Sequence, residues 1–224
     1  MIPGVRLVLL GKQGAGKGTQ AVKLAKHYVV PHISTGDMFR ATVRSGSPLG
    51  EKLGYFMEAG ELVPDAVVIE VVETRLREDD SRTRGFVLDG FPRTRPQAEE
   101  LQAVLEPLGG LDVALDLEVP TDIVMARLSG RRACSQCGAN YHVEAPPQVE
   151  WTCDVCGGEV VHRADDTPDA IARRLALYEQ ETEPLLGFYR ELGLLCVVEG
   201  VGLPNDVFSR AVEAVDARRE RARV

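Results

Sequence analysis

The chain has 224 residues, 44% hydrophobic and 27% charged, a composition that excludes disordered, collagen-like and coiled-coil chains. This length suits one good-sized domain, or one domain carrying insertions. Its 26 basic and 34 acidic residues give a net charge of −8, a poor footprint for an extended nucleic-acid surface, and its apolar runs fall far short of the roughly 20 residues that span a bilayer. The first residues carry no basic start, apolar h-region or small-residue cleavage site, so no secretory signal is expected and the chain is read as cytoplasmic.

The first predicted element is a buried strand within Val5 to Leu10, ended by Gly11. A helix is expected over Thr19 to Tyr28, then a short strand at His32-Ile33. Apolar strands follow at Phe86-Val87-Leu88, Val113 to Leu117 and Leu194 to Val198, with helices over 65–78, 95–105, 121–128 and 167–190 between them. Strands alternating with helices predict an α/β fold with a doubly wound parallel sheet, buried on both faces. Residues 133–162 break this rhythm. They hold four of the five cysteines, Pro146-Pro147, Gly157-Gly158 and the only tryptophan, Trp151, so a small inserted subdomain is expected there.

The first strand leads into Gly11-Lys12-Gln13-Gly14-Ala15-Gly16-Lys17-Gly18-Thr19 and then a helix, the context of a phosphate-binding loop. Glycines let backbone N–H groups turn inward onto an anion, the helix N-terminus adds positive potential, and Lys17 supplies a cation. Gly18 stands where Ser or Thr is usual, with Thr19 one later. A plain glycine-rich turn is the bland alternative, and strand, helix and lysine together argue against it. Asp89 ends the strand Phe86 to Leu88, the place from which a carboxylate holds Mg²⁺ directly or through water.

Cys134-x-x-Cys137 and Cys153-x-x-Cys156, fifteen residues apart, have the spacing of a closed four-thiolate zinc site. Two disulfides are the rival reading, which a cytosolic location disfavours. Residues 133–162 contain no Lys or Arg but four acids, the wrong charge for a nucleic-acid-binding ribbon, so the zinc is expected to be structural. Cys196 lies in an apolar strand and reads as a core residue.

Taken together, Gly14-Ala15-Gly16-Lys17-Gly18-Thr19-Gln20, Ser34-Thr35-Gly36-Asp37-Met38-Phe39-Arg40 and Leu88-Asp89-Gly90-Phe91-Pro92-Arg93-Thr94 resemble the adenylate kinases in order and spacing. So do Gly130-Arg131-Arg132, Tyr141-His142, Arg163-Ala164-Asp165-Asp166 and Arg173-Arg174-Leu175, and the cysteines are similar to those of the long-LID form with a structural zinc. The resemblance covers nearly the whole chain. It departs at Gln13, where the family usually has Pro and where little effect is expected, and at Glu61, where Lys or Gln is frequent.

The resemblance implies a five-stranded P-loop core over residues 1–33, 64–129 and 167–224, a helical AMP-binding flap over 34–63 and a zinc LID over 130–166. It implies transfer of the terminal phosphoryl group of ATP to AMP, giving two ADP, with Mg²⁺ at Asp89, by a monomer that serves nucleotide biosynthesis. Gly14, Ala15, Gly16, Lys17, Gly18 and Thr19 would hold the ATP phosphates. Arg127 would stack on the adenine near Gly202, with Arg131, Asn140 and Tyr141 along the nucleotide. Thr35, Arg40, Glu61, Leu62, Val63, Gly90, Phe91, Pro92, Arg93 and Gln97 would hold AMP. Arg163 and Arg174 would bridge the two phosphate chains.

The chemistry asks for the same residue types. Phosphoryl transfer to an ionised phosphate needs converging cations and no general base, and arginine's planar fork suits phosphate oxygens. Solvated helix faces account for Arg75, Arg77, Arg82, Arg84 and Arg218 to Arg223, and also for Arg132 and Arg173. His27, His32, His142 and His162 form no triad. Asp165 and Asp166 read either as ion-pair partners that hold the LID or as the cap of the following helix. The rival functions are a kinase for another nucleoside monophosphate and a nucleotide-operated switch. The switch would need a base-reading N-K-x-D motif, which the sequence lacks.

Overall fold

A computed structural model describes residues 4–163 and 165–222; Ala164 and Arg223 lie outside the described residues. In chain order the elements are β1 (Arg6–Leu10), α1 (Lys17–Tyr28), β2 (His32–Ser34), α2 (Thr35–Arg44), α3 (Pro48–Ala59), α4 (Asp65–Leu76), α5 (Asp79–Arg84) and β3 (Phe86–Asp89). They continue as α6 (Arg95–Leu105), β4 (Val113–Glu118), α7 (Thr121–Ser129), β5 (Arg131–Cys134), β6 (Asn140–His142), β7 (Val160–Val161), α8 (Pro168–Leu177), α9 (Pro184–Glu191), β8 (Leu195–Glu199) and α10 (Pro204–Arg221).

The five apolar runs form one parallel sheet in the order β2-β3-β1-β4-β8. Leu7 pairs with Val87 on one side and Val113 on the other, so β1 is the central strand. Successive residues alternate between the two faces. Leu7, Leu9, Leu115 and Leu117 pack with α1 and α10, while Val8, Leu10, Leu88 and Ala114 pack with α4, α6 and α9. The chain winds in opposite directions from β1, so a crevice opens at the carboxyl ends of the strands, where such sheets bind ligands.

Local chemistry sets the helix starts. Ser47 and Thr167 accept hydrogen bonds from the Gly50 and Ala170 N–H groups (3.1 and 3.2 Å), each followed by a proline that fits the first helical turn. Ser34 caps α2 in the same way through the Asp37 N–H. The helix expected over 167–190 is interrupted. Pro184 has no N–H to donate, and Glu183 N–H instead bonds the Tyr178 carbonyl five residues back (2.8 Å), giving a π turn over Tyr178–Thr182 between α8 and α9. The helix expected over 65–78 stops at Leu76, and α5 follows as a separate short helix.

Between α7 and α8 the chain leaves the main sheet and forms a second, antiparallel one, ordered β6-β5-β7. Its buried apolar cluster is Cys134, Cys153 and Val160 alone among the described residues.

Candidate active site

The loop after β1 turns through Gly11, Gly14 and Gly16, all at positive φ (128°, 83° and 99°). A Cβ on Gly11 would lie 2.8 Å from the Leu117 carbonyl oxygen, and one on Gly14 would lie 2.8 Å from the Leu128 side chain, so the tight path needs glycine. Gly16 is the N-cap of α1 and offers no side-chain cap, which leaves the helix's first N–H groups turned to the crevice. Lys17 Nζ folds back onto the Gly11 and Lys12 carbonyls (2.6 and 2.9 Å). Burial lowers the Lys17 ammonium to about 8; Arg93 and Arg131 push the same way, while Asp89 opposes them. An anion arriving here meets a cation that burial has left short of solvation. Thr19, in the first turn of α1, is exposed.

Asp89 ends β3 beside this lysine. Its carboxylate lies 3.6 Å from the position of a Gly18 Cβ, so glycine at 18 keeps the space in front of it open. That placement fits a carboxylate acting on a cation bound with the phosphates. Thr35 donates to the Asp89 carbonyl (3.4 Å), tying the start of α2 to the same strand end.

Five arginines, each from a different segment, face this crevice. Arg93 donates through Nε to the Gly90 carbonyl (2.8 Å), and burial followed by Arg174 lowers its pKa. Arg40 pairs with Asp37 and stands 3.8 Å from Asp165. Arg174 on α8 pairs with Asp165 (2.7 Å) and donates to the Met57 carbonyl (2.8 Å). Arg131 on β5 grips Asp166, whose side chain is fully buried. Arg163 donates to Asn140 (2.6 Å); burial, then Arg40 and Arg131, lower it to about 10. Like charges held together this way are stable only with anions between them, and here Asp165 and Asp166 supply those anions. The helix cap falls to Thr167, so of the two readings of these aspartates the ion pairs hold.

The remaining expected residues divide. Arg127 bridges the Ala15 and Gly200 carbonyls (3.2 and 3.1 Å), which sets it between the phosphate loop and the turn containing Gly202. Asn140 stands 3.6 Å from a Gly18 Cβ, over the phosphate loop. Tyr141 follows Asn140 on β6, and its hydroxyl donates to Cys153 Sγ (3.3 Å) and accepts from the Asp154 N–H (2.8 Å), in the cysteine cluster. Gln97 is buried and occupied. Its Oε1 accepts from the Arg93 N–H (2.8 Å) and its Nε2 donates to Asp65 (2.6 Å), so it braces the Arg93 turn. Val63, Phe91 and Pro92 are buried, Val63 and Phe91 in the apolar core, so only backbone there can meet a ligand. Leu62 is half-buried, and the Glu61 carboxylate faces Arg173 (3.5 Å).

Gln13, where little effect was expected, makes side-chain contacts that proline could not. With its amide oxygen facing the guanidiniums, it accepts from Arg174 Nη1 at 2.7 Å and Arg131 Nη2 at 2.9 Å. The departure from proline was the only signal in the sequence, and it carried no direction.

The four cysteines of 134–156 gather their sulfurs within 4.8 Å of one another, with Cys134–Cys156 and Cys137–Cys153 each at 3.5 Å. A disulfide would need about 2 Å. Four thiolates about 2.3 Å from one tetrahedral metal lie about 3.8 Å apart, which is close to what is found. The two turns are alike: the Gln136 and Val155 N–H groups each point at a sulfur (3.4 Å), and Gly138 and Gly157 take φ of 76° and 74°. The donor set and its geometry fit a structural zinc.

The sequence model of the adenylate kinase family matches residues 9–194. The chain belongs to that family. It is 47% identical over 213 residues to an adenylate kinase of Carboxydothermus hydrogenoformans, covering 94% of this chain and 99% of that one. It is 50% identical over 198 residues to one of Caldicellulosiruptor bescii (88% and 92% covered) and 48% identical over 206 residues to one of Methanosarcina acetivorans (91% and 95%). The parallel five-stranded sheet with its phosphate loop is the fold expected of an adenylate kinase.

Proposed function

We propose that this chain catalyses reversible, Mg²⁺-dependent transfer of the terminal phosphoryl group of ATP to AMP, giving two ADP, in adenine nucleotide homeostasis. The observation that carries the reading is the convergence of Lys17, Arg40, Arg93, Arg131, Arg163 and Arg174 on one crevice beside Asp89. The bond between the β,γ-bridging oxygen and the γ-phosphorus breaks, and an AMP phosphate oxygen forms the new bond. That oxygen is already ionised, so no base is needed and the work is alignment and charge stabilisation. The loop Gly14 to Thr19 and Lys17 hold the donor phosphates, with Arg131 and Asn140 above them and Arg127 and Gly202 on the adenine side. Tyr141 lies with Asn140 along the donor nucleotide, its hydroxyl tied to the cysteine cluster. Thr35, Arg40, the backbone of Glu61 to Val63, Gly90 to Arg93 and the brace at Gln97 form the acceptor side. Arg163 and Arg174 stand between the two phosphate chains. Asp89 would hold Mg²⁺, which supplies neutralising charge to the phosphates.

Residues 34–63 and 130–166 act as covers over acceptor and donor that exclude water before transfer. Asn140 over Gly18, and Gly138 beside Asp37, support closure of one upon the other. Zinc at the four cysteines staples the donor cover. No helix among the described residues is long and apolar enough to cross a membrane, and a cytoplasmic monomer is the form proposed.

The deciding assay follows ADP formation from ATP with AMP, UMP, CMP or GMP, with metal analysis on the same sample. AMP should be preferred and about one zinc found per chain. Equal rates with all four acceptors would replace this reading with that of a general monophosphate kinase.

A further inference from the structure

Gln97 is buried on the acceptor side, and the two ends of its side-chain amide are held by groups of opposite chemistry. Its Oε1 accepts from the Arg93 N–H (2.8 Å), which can only donate, and its Nε2 donates to Asp65 Oδ1 (2.6 Å), a carboxylate that can only accept. The carboxylate is itself oriented. The Thr94 hydroxyl accepts from the Gln97 backbone N–H (3.4 Å), and its own proton goes to Asp65 Oδ2 (2.9 Å). Turning the amide over would set an N–H against the Arg93 N–H and an oxygen against the carboxylate, leaving buried groups unpaired, so one orientation is fixed. An amide oxygen has two lone pairs and an amide nitrogen two hydrogens. Arg93 and Asp65 take one of each, and an acceptor beside a donor remains. The 6-amino group and N1 of adenine complement that pair, amino to Oε1 and N1 to Nε2. A 6-oxopurine presents an oxygen beside a protonated N1, the reverse order.

We propose that Asp65 is a positioning residue for the choice of acceptor base: by holding the Gln97 amide in one orientation, it makes the site accept a 6-aminopurine and reject a 6-oxopurine. Asp65 opens α4 two residues after Val63, while Thr94 and Gln97 belong to the start of α6, so the same bonds tie the end of the acceptor cover to the helix that carries the amide. The proposal rests on the adenylate kinase reading, in which Gln97 stands at the acceptor.

Steady-state rates with AMP and with inosine monophosphate, which differs from it only at the 6-position and N1, provide the test. Wild type should favour AMP in kcat/KM by about a hundredfold or more, because the wrong base leaves buried polar groups unpaired. Asp65→Asn keeps the size and leaves Thr94 an oxygen, but turns an N–H toward Gln97 and so favours the reversed amide. The ratio of AMP to inosine monophosphate should then fall about tenfold or more. Asp65→Ala leaves the amide held by Arg93 alone and should lower the ratio less than asparagine does. Asp65→Glu can still only accept, and should keep the ratio within about threefold of wild type even where both rates fall. A brace with no part in base choice would slow both acceptors equally, so a ratio unchanged in Asp65→Asn and Asp65→Ala overturns the proposal. If the asparagine variant does not fold, the alanine variant decides by the same criterion. A wild type that phosphorylates other nucleoside monophosphates but not AMP removes the adenylate kinase reading and this proposal with it. Activity with AMP and unchanged ratios in the variants overturns the proposal alone.

Discussion

The five-stranded and three-stranded sheets of this molecule differ in what holds them. The first is covered on both faces by helices that bury more than forty hydrophobic side chains with it, so its strands are fixed by apolar contact from distant parts of the chain. The second has only Cys134, Cys153 and Val160 buried in its own cluster, and two of those three are metal-ligand candidates. A small sheet with so little to bury needs a staple, and its four sulfurs provide the place for one. Burial makes a sheet that cannot move as a unit, while a metal knot makes one that can swing without coming apart.

The comparison breaks most visibly if the metal is taken away. Chelation, or Cys153→Ser, should abolish amide-exchange protection in β5–β7 while leaving β1, β3 and β4 protected, and should lower the melting temperature by about 10 °C. Uniform loss across both sheets would show that the large sheet also depends on the metal. Leu115→Ala is the reciprocal experiment. This fully buried residue should cost about 3–4 kcal/mol and lower the single unfolding transition of the whole molecule without changing metal content.

Smaller effects come from the ionisable groups that the large sheet tolerates. Lys17 is lowered to about 8 from an ordinary value near 10.5, so the unfolded chain binds the extra proton between those values. Nucleotide-free stability contributed by this group should therefore rise as pH increases from about 8 to about 10.5, and urea titrations over that range with Lys17→Met as reference will read it. ATP binding should move the other way, weakening above about pH 8 as the ammonium is lost. Asp116, within β4, has one carboxylate oxygen buried without a partner, and burial pushes it up to about 6. Its ionised form costs stability above pH 6, and that cost is gone below about pH 4. Asp116→Asn should raise the melting temperature by about 2–4 °C at pH 7.5 and by nothing at pH 4, measured calorimetrically.

Sequence legibility followed the same divide. All five strands of the large sheet could be read because uninterrupted apolar runs such as Leu7 to Leu10 have no other stable home, and β2 was visible even at three residues. The cysteine spacing announced the knot, while the three short strands around it carry too few residues for any period to appear. In the site, Lys17, Asp89 and the arginines were legible because each sits in a motif. The partners of Asp165 and Asp166 were not, since capping and ion pairing use the same residue type and only the fold brings Arg40, Arg131 and Arg174 to them. Gln97 and Tyr141 were named from the resemblance, and only the fold adds that Gln97 also braces Arg93 and that Tyr141 also reaches Cys153. The contacts of Gln13 with Arg131 and Arg174 were not legible either, since only the fold brings those arginines to the phosphate loop.

The π turn over Tyr178–Thr182 bears on how this chain tolerates change in length. Arg174 and Leu185 are eleven residues apart, a separation that an unbroken α-helix turns through about 1100°, returning both to nearly the same side. The extra residue taken up by the wide turn shifts the phase of everything after it by about 100°. That shift lets Arg174 reach the crevice while Leu185 and Tyr189 enter the core. Deleting any single residue of this turn would leave every contact residue in place by name and swing one group or the other to the wrong side, so one-residue deletions here should be more damaging than nearly any substitution.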